Sequence, residues 1–127
     1  MGRPPAKDLT ERELEVMHVF WSQGEATANE ARDRLAATGL DRTYTTIANL
    51  VRALHEKGFL RQVNDERPFV YRAVRSFEDV SGRLLVDLVQ RVFRGSRAQL
   101  LSRLIEQRAL TAEERTLLEQ VLKEKGR

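Results

Sequence analysis

Five times along this chain a serine or threonine is followed, three positions later, by an acidic or amide side chain at the head of a helical run. The pairs are Thr10–Glu13, Thr27–Glu30, Ser76–Asp79, Ser96–Gln99 and Thr111–Glu114. In such a pair the first side chain accepts from an orphan backbone N–H of the first turn, and the fourth reaches back to the residue that caps it. Leu9 and Leu14 flank the first pair at the positions of a hydrophobic staple. Gly24, Gly39, Gly58 and Gly95 fall just past helical runs, where a residue of positive φ ends a helix at low cost. With Thr43 as a further N-cap, these signals predict helices over 11–23, 28–38, 44–57, 77–94, 97–108 and 112–125. The chain is therefore mostly α.

The exception is the stretch 60–73, LRQVNDERPFVYRA. Its β-favouring runs, 60–63 and 69–73, flank a turn-rich Asn64-Asp65-Glu66-Arg67-Pro68, which predicts a β-hairpin. Three helices and then a hairpin make a winged helix-turn-helix. It is expected to occupy residues 9–75, behind a flexible arm at 1–8. Its core would combine Leu14, Met17, Phe20, Trp21, Ala31 and Leu35 with Ile47, Leu50, Val51, Leu54, Leu60 and Tyr71. Trp21 at helical spacing with Met17 and Phe20 reads as core rather than as a surface for stacking a ligand.

Residues 76–127 pose a different problem. Helix 77–94 is apolar over too wide an arc to pack on one side only, and three helices of this length make a poor independent core. A second copy of the chain is the economical cover. The expected self-association face comprises Val80, Leu84, Leu85, Leu88, Val92, Leu101, Leu104, Leu118 and Leu122. The competing arrangement folds these helices back onto the first domain.

The segment TYTTIANLVRALHEKGF, residues 43–59, carries the functional signal. Ile47, Leu50, Val51 and Leu54 form one buried stripe. Thr45, Thr46, Asn49 and Arg52 share the opposite face, which lacks the Glu/Lys mixture of a solvated helix. A helix in the major groove of B-DNA needs short donors near its N-terminus and a bidentate or cationic group further along. Thr43 caps the helix, and Thr45 and Thr46 sit in the first turn, where free N–H groups also suit phosphate. Asn49 can read adenine, and Arg52 can read guanine or hold a phosphate. Tyr44 can donate to the DNA backbone or pack inward, and Arg61, Arg67 and Arg72 would lie over a phosphate strand or the adjacent minor groove. Taken singly these residues also fit a solvated surface, and Arg52 has Glu56 at i+4 as a possible partner. Charge points the same way. Residues 1–41 hold five basic against eight acidic side chains, 42–75 hold seven against three, and 76–127 hold ten against eight. The positive excess begins with the unusual helix and suits a polyanion.

Other classes fit less well. With no cysteine, disulfides and thiolate metal sites are excluded, and His18 and His55 have no ligand-spaced partners, so neither a metal nor a cofactor is expected. No paired carboxylates, nucleophile elbow or phosphate loop suggests an enzyme. Apolar runs fall short of the ~20 residues a membrane span needs, and no apolar leader is visible, so a cytoplasmic protein without direct membrane binding is expected. A single-strand binder would want several exposed aromatics. A winged helix that binds protein instead of DNA would want an apolar face on helix 44–57.

LTERELEVMHVFW, ATANEARDRL, RTYTTIANLVRALHEKGFL and the FVYRA strand resemble the penicillinase-repressor family, the BlaI/MecI-type bacterial regulators. The resemblance covers nearly the whole chain. It implies a homodimeric winged-helix repressor on a palindromic double-stranded operator, with recognition contacts at the positions of Thr43, Thr45, Thr46 and Asn49. It also implies a membrane-bound sensor protease that cuts the repressor within its tail; the matching bond here is Arg103–Leu104, where the family pattern has Asn–Phe. The cysteine-rich metal site of copper-responsive relatives has no counterpart.

Overall fold

The computed structural model describes residues 9–107 and 110–125; the expected arm at 1–8 lies outside them. The helices are α1 (Glu11–Gln23), α2 (Ala28–Ala37), α3 (Tyr44–Glu56), α4 (Phe77–Arg91), α5 (Arg97–Gln107) and α6 (Ala112–Lys125). The strands are β1 (Ala26–Thr27), β2 (Leu60–Gln62) and β3 (Val70–Ala73), in the antiparallel order β1-β3-β2. The chain is mostly helical with a small wing, and the helix starts fall where the capping signals put them. α4 is shorter than expected, ending at Arg91 instead of 94. Arg94 (φ 54°) and Gly95 (φ 87°) take left-handed conformations just beyond it, and the Gly95 N–H closes on the Val89 carbonyl at 2.8 Å.

Three of the five capping pairs close in both directions. Thr10 and Glu13 exchange both bonds, as do Thr27 with Glu30 and Thr111 with Glu114. At Ser76 and Ser96 only the forward bond forms, from Asp79 N–H at 3.0 Å and Gln99 N–H at 3.2 Å. The Asp79 carboxylate is drawn away instead to Arg75 and Arg83.

The described chain divides into two units, one ending at Leu85 and one beginning at Val86. The first closes around Val16, Met17, Phe20, Ala31, Leu35, Ile47, Val51, Leu54, Phe59 and Leu60. Phe59, fully buried, was not among the expected core residues, whereas Leu14, Leu50, Trp21 and Tyr71 are only partly buried against it. Val80 was expected on the self-association face. The structure instead seals it in this core at 1% exposure, with Leu84 packed partly against the same cluster. The start of α4 thus belongs to the winged-helix unit. Its docking is polar as well as apolar: Trp21 Nε1 donates to the Arg75 carbonyl at 2.8 Å, and His18, Trp21 and Phe77 form an aromatic cluster. The Arg75 side chain is buried over the Phe59 ring, 4.9 Å from its centroid, and bonds Asp79 at 3.3 Å.

Strand β1 was not anticipated. Two residues are too few to leave a period-2 pattern, yet they pair Ala26 with Tyr71 and Thr27 with Val70. The hairpin tip is tied by Asn64. Its Oδ1 accepts from Val70 N–H at 2.8 Å, and its Nδ2 donates to the Glu66 and Pro68 carbonyls.

In the second unit Val89 is buried, but many apolar side chains stay in the open. Val86, Leu88, Val92, Leu101, Leu104, Ile105, Leu117, Leu118, Val121 and Leu122 are 38–64% exposed. No helix among the described residues is long and apolar enough to cross a membrane.

Candidate nucleic-acid interface

Helix α3 presents three faces, and the order of its residues sets them. Ile47, Val51 and Leu54 are buried. Thr45 and Asn49 are exposed on the outer side and Thr46 is half-buried there. Tyr44, Ala48 and Arg52 turn toward a groove of about 650 Å³, whose other walls are Thr27, Ala28 and Asn29 at the start of α2 and Arg67, Pro68, Phe69 and Tyr71 of the wing. Asn29 was not expected here. A clue lay in the T-A-N-E box, which marks the start of α2, but nothing local reveals that this start stands beside α3 and the wing.

The N-terminus of α3 leaves several donors open. Its first turn has no acidic residue. Thr43 Oγ1 accepts from Thr46 N–H at 3.2 Å and donates to Thr46 Oγ1 at 3.0 Å. The Thr43 hydroxyl is therefore committed to the cap, while the Thr46 proton remains free to point outward. The Tyr44 and Thr45 N–H groups and the Thr45 hydroxyl have no hydrogen-bond partner among the described residues. Just before the cap, Arg42 Nη2 donates to both Glu15 carboxylate oxygens, at 3.1 and 3.2 Å, and so fixes the start of α3 on α1. At its other end Lys57 reaches Glu13 at 2.9 and 3.0 Å, and His55 Nδ1 lies 3.2 Å from the Leu60 carbonyl. A carbonyl only accepts, so that ring nitrogen carries the proton.

Glu13 is nearly sealed. Burial raises its carboxyl pKa, but the Thr10 N–H, the Lys57 ammonium and the Thr10 hydroxyl together outweigh this, and the result lies below the usual carboxylate value. Asp79 is lowered by its hydrogen bond from Arg83, against some desolvation, with Arg83 and Arg75 adding their charge.

These pairs revise the charge count. Of the seven basic residues in 42–75, Arg42, Lys57 and Arg75 are paired with Glu15, Glu13 and Asp79, acids outside that segment. Arg52, Arg61, Arg67 and Arg72 are the exposed ones. Arg67 lies over the Phe69 ring, 5.2 Å from its centroid, beside the groove. Arg61 and Arg72 stand directly opposite each other on β2 and β3. Like charges in that position are destabilising, and the Glu25 carboxylate lies a full 4.0 Å from Arg72 with both side chains half-exposed. Arg52 has not turned to Glu56; its Nη2 donates to Asn49 Oδ1 at 2.6 Å.

Among the described residues, no three His, Cys, Asp or Glu side chains meet to hold a metal. The fold, with its capped third helix beside a basic wing, is that of the winged-helix regulators of transcription.

The family model for the penicillinase repressor matches residues 9–124. The chain is 25% identical over 118 residues to the methicillin resistance regulatory protein MecI of Staphylococcus aureus (strain N315), covering 93% of this chain and 95% of that protein. It is 31% identical over 100 residues to the transcriptional regulator BlaI of Mycobacterium tuberculosis (strain H37Rv), covering 77% of this chain and 72% of the relative. The solution structure of the DNA-binding domain of the repressor BlaI superposes with a TM-score of 0.52 at 30% identity, over 62% of this chain and 93% of the domain. The chain belongs to the penicillinase-repressor family, a family of transcriptional repressors and not of enzymes.

Proposed function

We propose that the chain is a homodimeric repressor that occupies a palindromic DNA operator, with α3 in the major groove and the wing on the flanking backbone. The observation that carries this reading is the outer face of α3. Thr45, Thr46, Asn49 and Arg52 are presented beside an acid-free helix start, with Arg67 across the same groove. The groove itself also has apolar lining, from Ala28, Ala48, Pro68 and Phe69, but the outer face of α3 offers donors in place of a surface for a protein ligand to bury. The exposed arginines supply affinity by releasing counterions, and the α3 face supplies selection.

The residues proposed for DNA contact are Thr45, Thr46, Asn49 and Arg52, with Tyr44, Arg61, Arg67 and Arg72 on or near the backbone. Thr43 acts by holding the first turn in shape. Self-association through residues 86–125 would couple two weak half-site events into one tight one. The open leucines and valines of α5 and α6 support this, since so much exposed apolar surface is unusual in a monomer.

Release by a membrane-bound sensor protease is the part of the reading that rests on kinship alone. Arg103 and Leu104 are exposed but lie inside α5, so cleavage there requires that helix to open first. The test of the main proposal is selection of binding sites from a random duplex pool, followed by electrophoretic titration of the winners. An inverted repeat bound as a dimer is the expected result. Equal affinity for selected and random duplexes would sink it.

A further inference from the structure

We infer that the operator base facing Asn49 is a guanine, read by Asn49 and Arg52 together as a pair made only of donors. This rests on the proposed role of α3 and narrows it. A guanidinium has five N–H donors and no acceptor. The 2.6 Å bond from Arg52 Nη2 therefore fixes which way the Asn49 amide faces: Oδ1 turns toward the arginine and Nδ2 turns away from it. No other described residue bonds that amide.

Adenine is read by an amide whose oxygen accepts from N6 while its nitrogen donates to N7. Here a cation already draws on the oxygen, and further guanidinium N–H groups flank it. A second donor arriving from adenine meets donors. Cytosine offers only its N4 amino donor, and thymine a single O4 acceptor beside a methyl group. Guanine alone presents two adjacent acceptors, N7 and O6, to match Asn49 Nδ2 and the remaining Arg52 donors. The assignment of adenine that Asn49 suggests in isolation is thus reversed by the residue one turn further on.

The experiment uses the full chain and a duplex obtained by site selection. The half-site position that Asn49→Ala relaxes is located first, and wild-type protein is expected to hold a guanine there. Replacing it with inosine, which keeps N7 and O6, leaves affinity within about twofold. Replacing it with adenine weakens binding roughly 5- to 150-fold, and 7-deazaguanine, which lacks N7, weakens it as well. Arg52→Met removes the donors that hold Oδ1, so the freed amide now prefers adenine at the same position. The readout is the ratio of affinities for the two bases, which is insensitive to a uniform loss of binding.

Adenine at that position in the wild-type selection overturns the inference alone. So does an Arg52→Met protein that still selects guanine, or that becomes indifferent without gaining adenine. If wild-type protein selects a motif and Asn49→Ala relaxes none of its positions, the proposed role of α3 falls and this inference falls with it.

Discussion

The two units of this chain differ in how they dispose of apolar side chains. In the first, residues from α1, α2, α3, both hairpin strands and the start of α4 close over one another. In the other, α5 and α6 leave leucines and valines in water. The winged-helix unit has a closed core; the tail keeps much of its apolar surface exposed. Hydrophobic pattern alone does not separate the cases, because Val80 and Leu101 both sit on amphipathic helices. What separates them is whether enough neighbouring elements exist to cover the stripe.

The largest expected effect comes from breaking the tail's proposed partnership. Replacing Leu101 and Leu104 by glutamate should convert the dimer to a monomer in sedimentation. It should lower operator affinity by about 10²–10⁴-fold, the size of the avidity it removes, while the first unit keeps its thermal transition. If the doubly substituted chain stays dimeric, the exposed face has another role.

The same kind of change in the first unit should act on folding instead. Ile47→Ala empties a fully buried site under α3 and is expected to cost about 2–5 kcal/mol of stability by denaturant titration, with loss of binding following unfolding.

Glu13→Gln should cost less, about 1–2 kcal/mol near neutral pH, because its Lys57 partner is one-third exposed and solvent screens the pair. Its pKa is depressed in the folded state, so its contribution is full above the ordinary carboxylate range and disappears as pH falls through the folded value. Wild type and variant should therefore converge in stability in acid. A gap that persists unchanged at about pH 2, below the carboxylate range, would rule out the ion pair as its source.

The smallest effect is expected at the wing. Arg67→Ala should weaken binding to specific and random duplexes alike and reduce the dependence of log affinity on log salt by at most about 1. A loss confined to the selected site would make Arg67 a base reader.

Much of this architecture was legible in the residues. Helix starts are local events, written as a hydroxyl and a carboxylate three positions apart, and α1, α2 and α6 begin where those pairs stand. The outer face of α3 was legible for a similar reason, since a 3.6-residue period places Thr45, Asn49 and Arg52 without any knowledge of neighbours. What escaped depends on distant partners. Arg75 reads as one more surface cation until Phe59 and Asp79 are seen around it. β1 exists only because β3 offers it two rungs. The Asn49–Arg52 bond is local, yet each side chain read alone suggested a different base.

Those two rungs matter beyond their length. By joining β1 to β3 they stitch the start of α2 to the wing, and α3 is held against α1 at both ends by Arg42–Glu15 and Lys57–Glu13. The start of α2 and the wing are thereby fastened to each other, and α3 to α1, so each wall of the groove is braced. If a duplex seats there as proposed, adaptation falls to it. Base steps that bend or twist at little energetic cost gain an advantage in such a mould, even at positions no side chain reaches.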